Sequence, residues 1–122
     1  ARRFDAGGVT EPLRLAMASA ALRQLQHWQP ARIAARLGAL GAAFEEELQA
    51  QGAGDWTVPG HAPHLGALRP PAAAMQALLP WLQRAKVICT HRHGALRIAP
   101  YLQLTPEAMR ELAREMVAAA RG

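Results

Sequence analysis

The sequence predicts an α+β domain: a small, mostly antiparallel sheet of three to four strands, covered by helices on one face, in the order ααββαββα. Three observations lead there. The composition is 51% hydrophobic but 5% aromatic, and much of the apolar share is alanine, the strongest helix former. Long segments with apolar residues at helical spacing flank a middle rich in glycine and proline. Late in the chain, "KVICT", "HRHG" and "ALRIA" read as strand, turn and strand. Strands in hairpin contact with helices gathered on one side form an α+β layer pair. At 122 residues the chain fits one domain, 1–122, that buries roughly two-thirds of its unfolded surface.

The elements follow in order. In "TEPLRLAMASAALRQLQHW", Thr10 is a candidate N-cap and Pro12 sits in the first turn. Leu15, Ala18, Leu22 and Leu25 then recur at helical spacing. Pro30 opens a second helix with Ile33, Leu37, Leu40, Phe44 and Leu48 inward and Glu45 to Glu47 toward water, and Gly52 ends it. "GAGDWTVPGHAPHLGALRPP" predicts two short extended pieces, around Trp56–Val58 and Leu65–Arg69. "PAAAMQALLPWLQRAK" returns to helix, with Pro80 either kinking it or starting a second short one. Gly94 supplies the permissive backbone of the hairpin turn. Thr105 caps and Pro106 begins the last helix, with Met109, Leu112, Met116 and Val117 inward. Glu107 and Glu111 lie toward its positive end, complementing the dipole.

Composition and charge exclude several classes. No apolar run approaches the roughly 20 residues of a membrane span. The start, "ARRFDAGGVTEP", has no apolar core of a signal peptide, so the cytoplasm is the expected compartment. The single cysteine, Cys89, cannot form an internal disulfide and lies in an apolar run that predicts a buried thiol. The net charge of +5 raises nucleic acid as a partner. Yet the basic residues are nearly all arginine, scattered from Arg2 to Arg121 among Glu and Asp, with no basic run and no nucleic-acid motif. No nucleic-acid partner is expected.

Few constellations could carry chemistry. His91 and His93, with His61 and His64, could bind a metal if their loops met, but no Asp, Glu or Cys at ligand spacing completes the set. No metal site is expected. Ser19, the lone serine, lies within a helix, and neither it nor Cys89 is an exposed nucleophile on a turn. No phosphate-binding glycine loop of the P-loop or dinucleotide type occurs. Gly7, Gly8 and Thr10 in "DAGGVTEP" could hold an anion on free amides at a helix start, or could form an ordinary cap. Arg97 stands out. It puts a permanent charge in the middle of an apolar strand, where it could extend into water, pair with a helix Glu, or grip a planar anion.

Beyond these readings, "ICTHRHGALRIAPYLQLTPEAMRELA" resembles the end of class V aminotransferase-like enzymes, the fold-type-I pyridoxal-phosphate family of cysteine desulfurases, kynureninases and related proteins. Those chains finish with a strand, a glycine turn, "LR(I/V)(S/A)PH-x-YN" and a last helix. "RFDAGGVTEPLRLAMASAALRQL", "PARIAARLGAL" and "APHLGALRP" are similar to earlier family segments in the family's order, so the resemblance spans roughly residues 2 to 120. It implies the small C-terminal domain of such an enzyme, with Arg97 binding the α-carboxylate of an amino-acid substrate. It also implies that Gly7, Gly8 and Thr10 lie near the phosphate of pyridoxal 5′-phosphate, often a neighbouring subunit's. A homodimer and a large cofactor-binding domain, in the same chain or another subunit, are the partners it implies.

Two departures matter. The family's Tyr-Asn is Gln103–Leu104 here. The Schiff-base lysine belongs to a large domain outside this sequence, and Lys86, at a helix end before a strand, is not in the family's lysine context. The chain alone is therefore expected to bind no cofactor and to catalyse no transamination. The rival expectation is a non-catalytic interaction module of the same fold that homodimerises through an exposed apolar face.

Overall fold

The computed structural model describes residues 11–60 and 62–122. The chain divides into two compact units, Ala1–Ile33 and Ala34–Gly122. Gly7, Gly8, Thr10 and His61 lie outside the described residues.

In the first unit, α1 runs from Pro12 to Trp28 with Pro12 in its first turn. Its N-cap is Glu11, one residue later than the sequence suggests, and the Glu11 side chain makes no capping bond. It pairs instead with Arg14 at 3.2 Å. The helix ends at Gln29, which adopts φ 63° and donates its N–H to the Gln26 carbonyl. Pro30 bars the α conformation at the residue before it, so the helix must stop here. The apolar positions that recur at helical spacing are not buried. No residue of α1 is buried, and Leu15, Leu22 and Leu25 are 57, 60 and 44% exposed. Helical spacing marks the face that is apolar; it does not supply the surface that covers it.

Helix α2, Pro30–Ala50, carries the second unit's first core residues: Leu37, Leu40, Ala43, Phe44 and Leu48. It ends as predicted at Gly52, φ 70°. There the Gly52 and Ala53 amides donate back to the Gln49 and Leu48 carbonyls at 2.9 and 2.8 Å, the Schellman arrangement. One expectation for α2 fails. Glu47 does not face water; its side chain is 14% exposed and meets Arg114 at 3.4 Å and Gln51 at 2.9 Å.

The segment around Trp56 is not a strand. Gly54–Trp56 is one turn of 3₁₀ helix with Trp56 buried, and only Thr57 forms a β-bridge, to Leu68. Strand β1, Gly66–Leu68, follows, and its extended backbone continues to Arg69, whose N–H donates to the Trp56 carbonyl at 2.6 Å. Helix α3, Ala72–Arg84, runs through Pro80 without a break. It closes in a second Schellman arrangement: Lys86, φ 56°, donates to Gln83 at 3.2 Å, and Val87 donates to Leu82 at 2.9 Å. That turn consumes the start of "KVICT". Val87 to Cys89 are therefore not strand, and Ile88 is fully exposed. Cys89 is half-buried rather than buried.

Strands β2, Thr90–Arg92, and β3, Ala95–Ile98, form the predicted hairpin. The sheet is three-stranded and antiparallel, in the order β1-β3-β2. Helix α4, Pro106–Arg121, opens on Thr105, whose hydroxyl accepts from the Ala108 amide at 3.1 Å. It packs against α3. Leu68 and Leu96, partners across β1 and β3, are buried on the helix side with Leu40, Leu78, Met109, Met116 and Val117. The α+β class and the one-sided cover of the sheet are as predicted. No described helix is long and apolar enough to cross a membrane.

Candidate functional site on the open sheet face

The hairpin fixes where Arg97 stands. His93 and Gly94 carry φ values of 51° and 73°, as a two-residue I′ turn requires, and this turn's twist matches that of paired strands. Both central residues, not Gly94 alone, adopt the left-handed conformation. With the turn fixed, the register follows: Arg92 faces Ala95, His91 faces Leu96 and Thr90 faces Arg97. On the other side Ala67 faces Arg97 and Leu68 faces Leu96. Side chains alternate along a strand. Because Leu96 points into the core, Ala95 and Arg97 must point to the open face, and so must Ala67, Thr90 and Arg92.

That face holds a shallow depression of about 360 Å³ lined by Leu65, Ala67, Thr90, Arg92, Ala95 and Arg97, with the Leu96 backbone strand as floor. Arg97 occupies its middle row between two small neighbours, Ala67 and Thr90. It is exposed, and among the described residues it meets no acidic side chain. The arginines of α4 differ. Arg114 lies 2.9 Å from Glu107 and 3.4 Å from Glu47, and Arg110 lies 3.7 Å from Glu107 and 3.8 Å from Glu46. Of the three sequence-level options for Arg97, the pair with a helix Glu is therefore not formed among these residues.

The remaining candidates are not brought to this face as reactive groups. Burial raises the Cys89 thiol above its ordinary value, which disfavours the thiolate a nucleophile needs. Ser19 lies within α1, in the first unit. Lys86, the one lysine of the chain, is an exposed cap at the end of α3. Exposed on that turn, its amine has no enclosed pocket around it, so the described residues do not fit a pyridoxal-phosphate site of their own. His93 sits in the hairpin turn and His91 on the edge strand; no group of three metal-ligating side chains forms among the described residues. A second cavity, against Phe44, Pro63, Leu68, Ile98 and Met109, has about 30 Å³, room for about one water.

Arg69 and Arg92 also belong to this face, and the sequence reading passed over both. Two signals could have found them. Ala95 lies two residues from Arg97 on the same face, and a two-residue His-Gly turn pairs Ala95 with Arg92. And the interleaving of charges stops between Asp55 and Glu107, a stretch with five basic residues and no carboxylate at all. Comparison with protein-family models, curated proteins and solved structures gives no match to this chain.

Proposed function

We propose that the chain is the small C-terminal domain of a class V aminotransferase-like, pyridoxal-phosphate-dependent enzyme, in which Arg97 binds the α-carboxylate of the amino-acid substrate. The observation that supports this most is the setting of Arg97: mid-row on an open sheet face, between Ala67 and Thr90, without a carboxylate partner among the described residues. A guanidinium offers a carboxylate two parallel N–H···O bonds, and charge-assisted bonds contribute on the order of 1.5–3 kcal/mol each. Lysine cannot reproduce that fork.

In this reading a large domain, in the same polypeptide or a partner subunit, carries the Schiff-base lysine and the cofactor, which supplies the electron sink for the chemistry. Residues of the present chain bind and orient the substrate, and closure of the two domains excludes water. The large domain selects the reaction. Alone, the chain catalyses no transamination.

The test uses the chain joined to a cofactor-loaded large domain. Arg97→Lys is expected to raise KM for the amino acid about tenfold or more, the loss of roughly one such bond, with the cofactor's visible absorbance unchanged. Equal KM values for the two proteins would sink the assignment.

One observation favours a second reading, a non-catalytic module that homodimerises. Helix α1 leaves Leu13, Leu15, Met17 and Leu22 exposed at 57 to 70%. A helix apolar on several sides is normally covered.

A further inference from the structure

We propose that the open sheet face takes a small molecule with two anionic groups, Arg97 holding a carboxylate and Arg69 with Arg92 holding the second anion. The proposal rests on the carboxylate role of Arg97 and adds the class of ligand. Its basis is the row next to Arg97. Arg92 is paired with Ala95 across β2 and β3. On the other side of β3, Arg69 is the residue after Leu68, the last registered partner of Leu96, and the same alternation carried one residue past the strand sets it beside Ala95. Arg69 and Arg92 thus flank a single methyl group, roughly 10 Å apart at two interstrand spacings. Each is a diagonal neighbour of Arg97, at roughly 7–8 Å.

Three guanidiniums around one alanine repel one another, and no described carboxylate neutralises them. All three are exposed, and none meets an acidic side chain among the described residues. The sequence forbids a local remedy, because no Asp or Glu occurs from residue 56 to residue 106. Outside that stretch the nine remaining basic residues are matched by the nine acidic ones, so the whole net charge of the chain falls in the stretch that holds the sheet and α3. Arg84 and Lys86 lie at the end of α3, and the other three basic residues lie on or next to the strands. A single carboxylate on Arg97 leaves two cations unmatched; a ligand with a second anion answers all three. The size of the face favours a small ligand over a polymer. Its strands are three or four residues long. The depression is lined by no aromatic side chain, which single-stranded nucleic acid would use for stacking.

The test is titration of the isotope-labelled 122-residue chain, followed through backbone amide and arginine Nε–H resonances, with glutarate, acetate and a short oligothymidylate. Glutarate is expected to move the signals of Arg69, Arg92 and Arg97 and to bind about tenfold more tightly than acetate. The double variant Arg69→Gln/Arg92→Gln should bring glutarate down to the acetate value and leave acetate unchanged, while Arg97→Gln abolishes both. Unshifted α4 amides in each variant verify the fold. Equal affinities for glutarate and acetate, with Arg97 still responding, overturn the second anion site and leave the carboxylate role standing. No response of Arg97 to either anion overturns both. An oligothymidylate that binds these residues more tightly than glutarate overturns the small-molecule assignment in favour of a polymer.

Discussion

Lys86 shows how a single residue can be held where its own chemistry is unsuited. It occupies the left-handed position after α3 at φ 56°, where a Cβ crowds the following backbone and glycine is preferred. Lys86→Gly should therefore stabilise the protein by about 0.5–1 kcal/mol, the relief of Cβ strain less the extra freedom glycine gives the unfolded chain. A shift of the urea midpoint to higher concentration at unchanged slope is the measurement; a shift to lower concentration would mean that this position is not strained. Gly52 is the natural counterpart. It fills the equivalent place after α2, and an added Cβ there would meet nothing nearer than an Arg121 nitrogen at 3.7 Å. The stop at Gly52 is legible from sequence because glycine announces it. The stop at Lys86 is not, because lysine is a good helix former and the left-handed turn is imposed by the two backbone bonds that close it.

Among the elements, α4 is the one whose sequence and structure agree best. Cap, proline, acidic first turn and inward Met109, Met116 and Val117 stand where spacing puts them, while Leu112, expected inward, is only half-buried and Ala113 is buried beside it. A strongly amphipathic helix carries its own boundaries. The sheet was harder to read, since strands of three or four residues give little periodicity and "KVICT" is apolar without being strand. A prediction belongs to α4 as well. The hydrogen bond from Arg114, aided by the charges of Arg114 and Arg110, holds the Glu107 carboxyl below its ordinary value of 4.5. A depressed folded-state value contributes stability that is full above the unfolded value and lost as pH falls through the folded one. Urea midpoints should therefore decline as pH is lowered below 4.5, and Glu107→Gln should make that decline shallower. The pair is solvent-exposed, so the difference should shrink in high salt. Identical acid profiles for the two proteins would show that the pair contributes nothing.

At the scale of the molecule, Arg97 was legible as an anomaly because a charge in an apolar strand breaks the pattern. Its two companions were not, because Arg69 and Arg92 join it through pairing between segments distant in the chain. Helix α1 makes the same point in reverse: its spacing gives apolar positions, yet nothing in the spacing names the surface that covers them. If α1 serves self-association, the chain should sediment as a dimer at tens of micromolar. Leu15→Glu with Leu22→Glu should then give a monomer of unchanged helix content. A wild-type chain that stays monomeric at every concentration removes the homodimer reading. The strand order has a consequence for how the protein is made. Its central strand, Ala95–Ile98, is the last of the three to be synthesised. A nascent chain interrupted before Ala95 thus lacks the keystone rather than a border: Gly66–Leu68 and Thr90–Arg92 bond only through the strand between them. Such a fragment would present bare ribbon edges to its neighbours, the surface on which aggregation begins.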